Sequence, residues 1–306
     1  MFAAPPSVVA EIHSSVPGAL RLPGRRSKWL DKKGHASKDS FLEGPSFDRE
    51  GNLFMVDIAH GRLFRVTPGG EWSVIADYDG EPNGSAFHRD GRLFVADGVN
   101  GILAFDPHTG RHEVVTSGPG GVPFKGPNDL TFAANGDLFF TDQGETGYQD
   151  PTGCLYKLHA ADQRLQCIVD FAPSPNGLLL TEDEHNVLLA VTRDNAVWRV
   201  PMRASGETYK VGKFIQLSGS LGSGPDGMAM DEEGGFCVAH AGFGTVWYFD
   251  RFGEPMLRIR SPVGHLITNV AYGGPDNRTL FITESNSGTV LKVAMKVPGR
   301  RLFSHA

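Results

Sequence analysis

The sequence is short of several things, and each shortage narrows what the chain can be. Cysteine occurs three times in 306 residues, as Cys154, Cys167 and Cys237, with no CxxC spacing. An odd, scattered trio builds neither a disulfide framework nor a zinc site, and it points to a reducing, cytoplasmic compartment. No stretch approaches the roughly 18 apolar residues that a membrane helix needs, so no membrane partner is expected. The opening MFAAPPSVVAEIHSS lacks a basic start followed by a long apolar run, so no export signal is expected. Basic residues are not in excess: 29 Lys and Arg face 35 Asp and Glu, a net charge of −6. That argues against a phosphate-backbone partner such as a nucleic acid, which needs clustered Lys and Arg. No GxSxG elbow is present, which disfavours a serine esterase. No convincing amphipathic helix is found, so helix content should be low.

Turn-forming residues are plentiful, with 39 Gly and 20 Pro, and they punctuate a repeat. One pattern recurs six times: an oxygen-bearing residue, usually Gly or Asp next, then alternating apolar positions. The copies begin at Glu43, Asn83, Asn128, Asn176, Asp226 and Thr268, spaced 40 to 50 residues apart. Four of them carry a Gly eight residues on (Gly51, Gly91, Gly136, Gly234), where a hairpin turn calls for positive φ. Second and third apolar runs follow each copy, and a more polar fourth run follows five of them. These runs are about five residues long and rich in β-branched and aromatic residues, as strands are. Four-stranded units of this period predict an all-β, six-bladed propeller with antiparallel blades. The repeats fill 41–295, between a leader (1–40) wrapping the outside and a tail (296–306), in a single domain. The last blade lacks its fourth strand, and Ser7–His13 or Leu302–His305 is expected to complete it, since ring closure protects strand edges.

The first strand of each blade lines the central channel, so the six leading residues form one ring. All six carry oxygen and none is apolar. Two carboxylates with neutral oxygen donors, and no sulfur or imidazole, suit a hard cation. Crowded carboxylates without one would repel and resist ionisation. One divalent ion is therefore expected, calcium first, with zinc, manganese, magnesium or iron as alternatives. The second strand ends on the same rim, with Asp57, Asp97, Asp142, His240 and Glu284 at its tips. Asp57 and Asp97 read as loop-bracing residues. Asp142 and His240 are candidates for substrate contact, together with Asn83 and Asn128 of the ring and His60 in the first rim loop. The long segments Ser117–Lys125 and Gln143–Gly153 are expected to wall the pocket.

Glu43-Gly-Pro, Gly126-Pro-Asn-Asp129, Ser174-Pro-Asn-Gly177, Pro225-Asp-Gly-Met228 with Asp231, and Thr268-Asn-Val-Ala-Tyr-Gly-Gly-Pro-Asp276 together resemble the senescence-marker-protein/gluconolactonase/luciferin-regenerating family of six-bladed propellers. The resemblance covers residues 41 to 295. It implies metal-dependent hydrolysis of a small cyclic ester, with the ion on Glu43, Asn176 and Asp226. It also implies that Asn128 contacts metal or substrate, and that Asp226 acts as general base or nucleophile. Members that take sugar lactones often carry Arg two residues before the Asn128 position. Here Gly126 stands there, beside Lys125, which puts a sugar lactone in question. An organophosphate or other ester could use the same ion, and a non-catalytic scaffold is the third reading, since fold does not imply function. Nothing in the sequence speaks to oligomeric state.

Overall fold

A computed structural model of the chain describes residues 4–34, 38–203, 205–220 and 222–305. The sheets are six blades, each with four antiparallel strands, and one of them takes a fifth strand. The inner strands are Leu42–Phe47, Pro82–Phe87, Pro127–Phe132, Pro175–Leu180, Pro225–Met230 and Ile267–Gly273. Each packs on the next and the sixth packs on the first, closing the ring. The architecture is the six-bladed β-propeller.

Strand alternation explains why the ring coheres. In Leu53–Asp57, Leu53 and Met55 face a cluster shared with blade six, while Phe54 and Val56 face one shared with blade two. Six such clusters fill the six seams between blades. Every blade is apolar on both faces because both faces are buried. Where the fourth and sixth copies lack the turn glycine, Glu184 and Asn277 take the left-handed conformation at φ 54°.

The segment Ser7–His13, expected as one strand, is divided. Ser7–Val9 adds to blade five in parallel, beside Pro255–Arg260. Glu11–Ser15 then runs antiparallel to Thr289–Ala294 as the fourth strand of blade six. A one-residue break lets a single segment tie two neighbouring blades. The stretch Leu302–His305 does not pair as a strand; its Phe303–His305 forms a single 3-10 turn. The tail lies across the far ends of the inner strands. Arg300 Nη1 donates to Leu180 O at 2.8 Å, and Arg49 Nε donates to Ser304 O at 2.8 Å. Phe303 meets the rings of His88 and Phe132.

The leader does not simply wrap the outside. Val16 N donates to Gly288 O on blade six, and Arg62 of blade one donates to Leu20 O. The helix Lys28–Lys33 is capped by Ser27, whose Oγ accepts from Leu30 N at 3.2 Å. Its buried Trp29 and Leu30 join Phe41, Ile58 and Ala59 at the channel mouth. Among the described residues no helix is long and apolar enough to cross a membrane.

Candidate functional site

Each inner strand starts at the rim, and four of them start with proline. Proline lacks an N–H and is tolerated as the first residue of a strand. The ladder between first and second strands then breaks register within the next few residues in all six blades. Such a bulge frees side chains from the regular pleat and re-aims them. The six leading residues occupy the equivalent position just before or within that break, six times over.

Hydroxyls from the first or second strand of one blade, or from just after the second, hold the inner strand of a neighbouring blade. Ser85 Oγ donates to Gly44 O at 2.7 Å, Thr141 Oγ1 to Asn176 O at 2.9 Å, Thr192 Oγ1 to Pro225 O at 2.9 Å, and Ser285 Oγ to Leu42 O at 2.5 Å. Thr268 belongs to this stitching, donating to Leu42 O at 3.1 Å. It closes the ring between blades six and one, and its hydroxyl is used there.

The structure brings Glu43, Asn176 and Asp226 into one network. Glu43 is 5% exposed and Asn176 6% exposed, while Asp226 keeps partial exposure to the channel. Asn176 hydrogen-bonds the Asp226 carboxylate, and the carboxylates of Asp226 and Glu43 repel. A third carboxyl, Asp129, joins them. Burial lifts Glu43 well above the usual carboxylate range, and Asp226 and Asp129 add to the lift. Asp226 is raised well above its usual value by burial, then by Asp129. Asp129 is pushed up to about 7 by burial. The Asn269 amide bonds both Glu43 and Asp129 and partly offsets these shifts.

Asp129 and Asn269 were not singled out as site residues from sequence. Their signal was the second position of the repeat, otherwise glycine: Gly44, Gly84, Gly177, Gly227. The glycines make room for the two polar side chains. A Cβ on Gly84 would come within 2.1 Å of Asp129 Oδ1, and one on Gly227 within 2.0 Å of Asn269 Oδ1.

Asn128, 7% exposed, donates from Nδ2 to Gln143 Oε1 at 3.1 Å. Asn83 is half-buried at the same level of the ring. The strand-tip residues stand further out. Asp142 accepts from Lys125 N at 3.0 Å and Gly126 N at 2.7 Å, so both oxygens hold the loop ahead of the third inner strand. Asp57 pairs with Arg62 and accepts from Phe41 N, and Asp97 accepts from Val99 N and Asn100 N. Glu284 accepts from Leu266 N and Ser287 N. His240 is fully buried, and its Nδ1 accepts from Trp247 Nε1 at 3.1 Å. His60, 4% exposed, lies within electrostatic reach of Asp57, Arg62 and Arg25. Of the two long segments, Gln143–Thr146 and Gln149 line a rim cavity together with Ser174, Thr192, Arg193 and Lys33.

Whether a cation suits this ring is decided by its donors. Among the described residues no group of three or more His, Cys, Asp or Glu is gathered to hold a metal. A set made of Glu43, Asp226 and the Asn176 amide has two carboxylates and a neutral oxygen. That is a hard-cation set, and the raised carboxyls show the electrostatic conflict that a positive charge would relieve. The residues fit.

Residues 41–286 match the family described as "SMP-30/Gluconolactonase/LRE-like region". A 6-deoxy-6-sulfogluconolactonase of Pseudomonas putida is 28% identical over 152 residues, covering 45% of this chain and about half (52%) of that protein. The lactonase drp35 of Staphylococcus aureus is 27% identical over 285 residues, 84% of this chain and 82% of that one. Among solved structures, a calcium-binding protein, regucalcin, from Agrobacterium tumefaciens superimposes with a TM-score of 0.78 at 22% identity, covering 100% of both chains. At that identity the likeness is one of fold.

Proposed function

Because the chain belongs to the SMP-30/gluconolactonase/LRE-like family, we propose that it is a hydrolase of small cyclic esters, a lactonase, acting in the channel mouth. The observation that carries this reading is the buried network of Glu43, Asp226 and Asn176, with Asp226 held by the Asn176 amide and repelled by the neighbouring carboxyls. The names of the lactonase relatives support the same chemistry.

Glu43, Asn176 and Asp226 would hold a divalent cation, calcium first, and when bound it supplies a Lewis acid for the ester carbonyl. The other roles fall to side chains. Asp226 in its ionised form takes a proton from the attacking water, whose oxygen bonds to the carbonyl carbon. Asn128 has one amide hydrogen engaged by Gln143; the other would donate to the oxygen on which negative charge develops. The acyl–oxygen bond then breaks, the ring oxygen leaves as a hydroxyl carrying the proton, and a hydroxy acid results. Asn83 lies on the same ring as a contact for the substrate.

The test is a panel of γ- and δ-lactones assayed before and after verified removal of metal by a chelator, with Asp226→Ala alongside. Losing the base and a ligand together is expected to lower kcat/KM by at least about a hundredfold. Undiminished hydrolysis without metal, or wild-type rates from the variant, would sink the reading.

A further inference from the structure

A cavity of about 220 Å³ opens at the rim over blades three and four. Its walls are almost wholly polar: Gln143, Thr146 and Gln149 from one loop, Thr192 and Arg193 from another, and Lys33 from the leader helix. Two of its lining residues adjoin the channel ring. Gln143 is the residue that Asn128 bonds, at 3.1 Å, and Ser174 stands two residues before Asn176.

The charges on these walls are unequal. Lys33 and Arg193 both line the cavity, and Lys32 stands next to Lys33. The one carboxylate lining the cavity is Glu145, which pairs with Lys33 at 2.8 Å and Lys32 at 3.2 Å. Arg193 donates one guanidinium nitrogen to the carbonyl of Gly222 and, among the described residues, pairs with no carboxylate. The mouth therefore carries more positive than negative charge, although the chain as a whole is acidic at −6. The channel beneath it is acidic, with Glu43, Asp129 and Asp226. A neutral ligand would leave Arg193 without an anionic partner. A ligand with an anionic group at one end would meet a guanidinium and an ammonium, the strong class of charge-assisted hydrogen bonds.

We propose that this cavity is an anion subsite. The substrate it selects is a cyclic ester bearing a second, acidic group, a carboxylate, sulfonate or phosphate, held by Lys33 and Arg193 while the ester points at the ring. The assignment rests on the reading of the channel as an ester-hydrolysing site. It also gives the leader helix a part in recognition, since Lys33 is its last residue.

Binding can be measured apart from hydrolysis. The calcium-loaded full chain is titrated calorimetrically with 1,5-anhydroglucitol 6-phosphate, with 1,5-anhydroglucitol, and with inorganic phosphate; none has an ester to open. The sugar phosphate is expected to bind at least about tenfold tighter than either of the others, as a charge-assisted contact plus a ring would give. Lys33→Met and Arg193→Met should each weaken it by about tenfold, and Lys33→Arg should restore most of the loss. Melting temperatures confirm that the variants fold. Equal affinity for the neutral and phosphorylated ligands, inorganic phosphate binding as tightly as the sugar phosphate, or wild-type affinity in the double Met variant would each overturn the subsite. The two readings fail separately. A chain that prefers the sugar phosphate but opens no lactone keeps the subsite and loses the hydrolase. A chain that opens neutral lactones with no such preference keeps the hydrolase and loses the subsite.

Discussion

His240 ends the second strand of blade five, where blades one, two, three and six place Asp57, Asp97, Asp142 and Glu284. Those carboxylates accept backbone N–H groups and brace rim loops. An imidazole cannot do this in its charged form, and His240 is kept from charging. Burial, and then the Arg258 cation, lower it to about 4. Its Nδ1 accepts the Trp247 indole N–H, a bond that protonation there would destroy. The unfolded chain takes up that proton near the ordinary value of 6.5, while the folded chain waits until about 4. Stability from this residue is therefore complete above pH 6.5 and is lost as pH falls toward 4. Urea midpoints between pH 7 and 4 should fall, and His240→Gln, which cannot titrate, should fall less steeply over that window. A parallel decline in the two proteins would remove His240 as the cause. His240 Nδ1 is engaged by Trp247 while Nε2 is buried without a hydrogen-bond partner, and the contact with substrate proposed for it would be made from the neutral state.

Among elements, the inner strand is where the fold and the site are the same object. Six strands converge on one axis, so their second positions crowd, and glycine is the solution in four blades. Gly227 shows why: a methyl group there would lie 2.0 Å from Asn269 Oδ1 and 2.1 Å from its Cγ. Asn269 in turn bonds Glu43 and Asp129. Gly227→Ala should cost about 1–3 kcal/mol, as overpacking does, and should weaken the calcium binding proposed for Glu43, Asn176 and Asp226 because Asn269 must move. A variant with unchanged urea midpoint and calcium affinity would refute this coupling. The period-two pattern and the turn glycines made the strands legible from sequence, because both are local. The ring of leading residues was legible too, since repetition reveals equivalent positions. Asp129 and Asn269 were not, because their importance comes from the glycine of the preceding blade, a neighbour in space and not in sequence. The division of Ser7–His13 between two blades escaped for the same reason: both pieces look like strand, and only the ring says which edge each one meets.

For the whole molecule, the question is why a ring with a hole through it should offer a site on one side only. The tail answers it at the far end of the channel. Arg300 reaches Leu180 and Thr181 in blade four, an isolated bridge joins Gly299 to Asp231 in blade five, and Asn277 of blade six donates to Gly299 O. Phe303 sits against His88 and Phe132 in blades two and three, and Arg49 of blade one holds Ser304. One short segment thus touches all six blades and turns the channel into a pocket open at the leader side. On that side the helix Lys28–Lys33 packs on Phe41, Ile58 and Ala59, and its Lys33 lines the rim cavity with Arg193. Burial is the main reason the carboxyls of Glu43 and Asp226 are raised. Phe303, 8% exposed, is the apolar anchor of this plug, and Arg89 stacks over its other face at 4.3 Å. Phe303→Ala should therefore destabilise the fold by about 3 kcal/mol, the lower end for a buried phenylalanine, as read from urea unfolding. It should also speed hydrogen exchange of the inner-strand amides more than that of the outer strands, because the plug packs on the far ends of the inner strands and the turns that follow them. A loss below about 0.5 kcal/mol, the size of an ordinary surface substitution, would mean that the six blades close the channel without their tail.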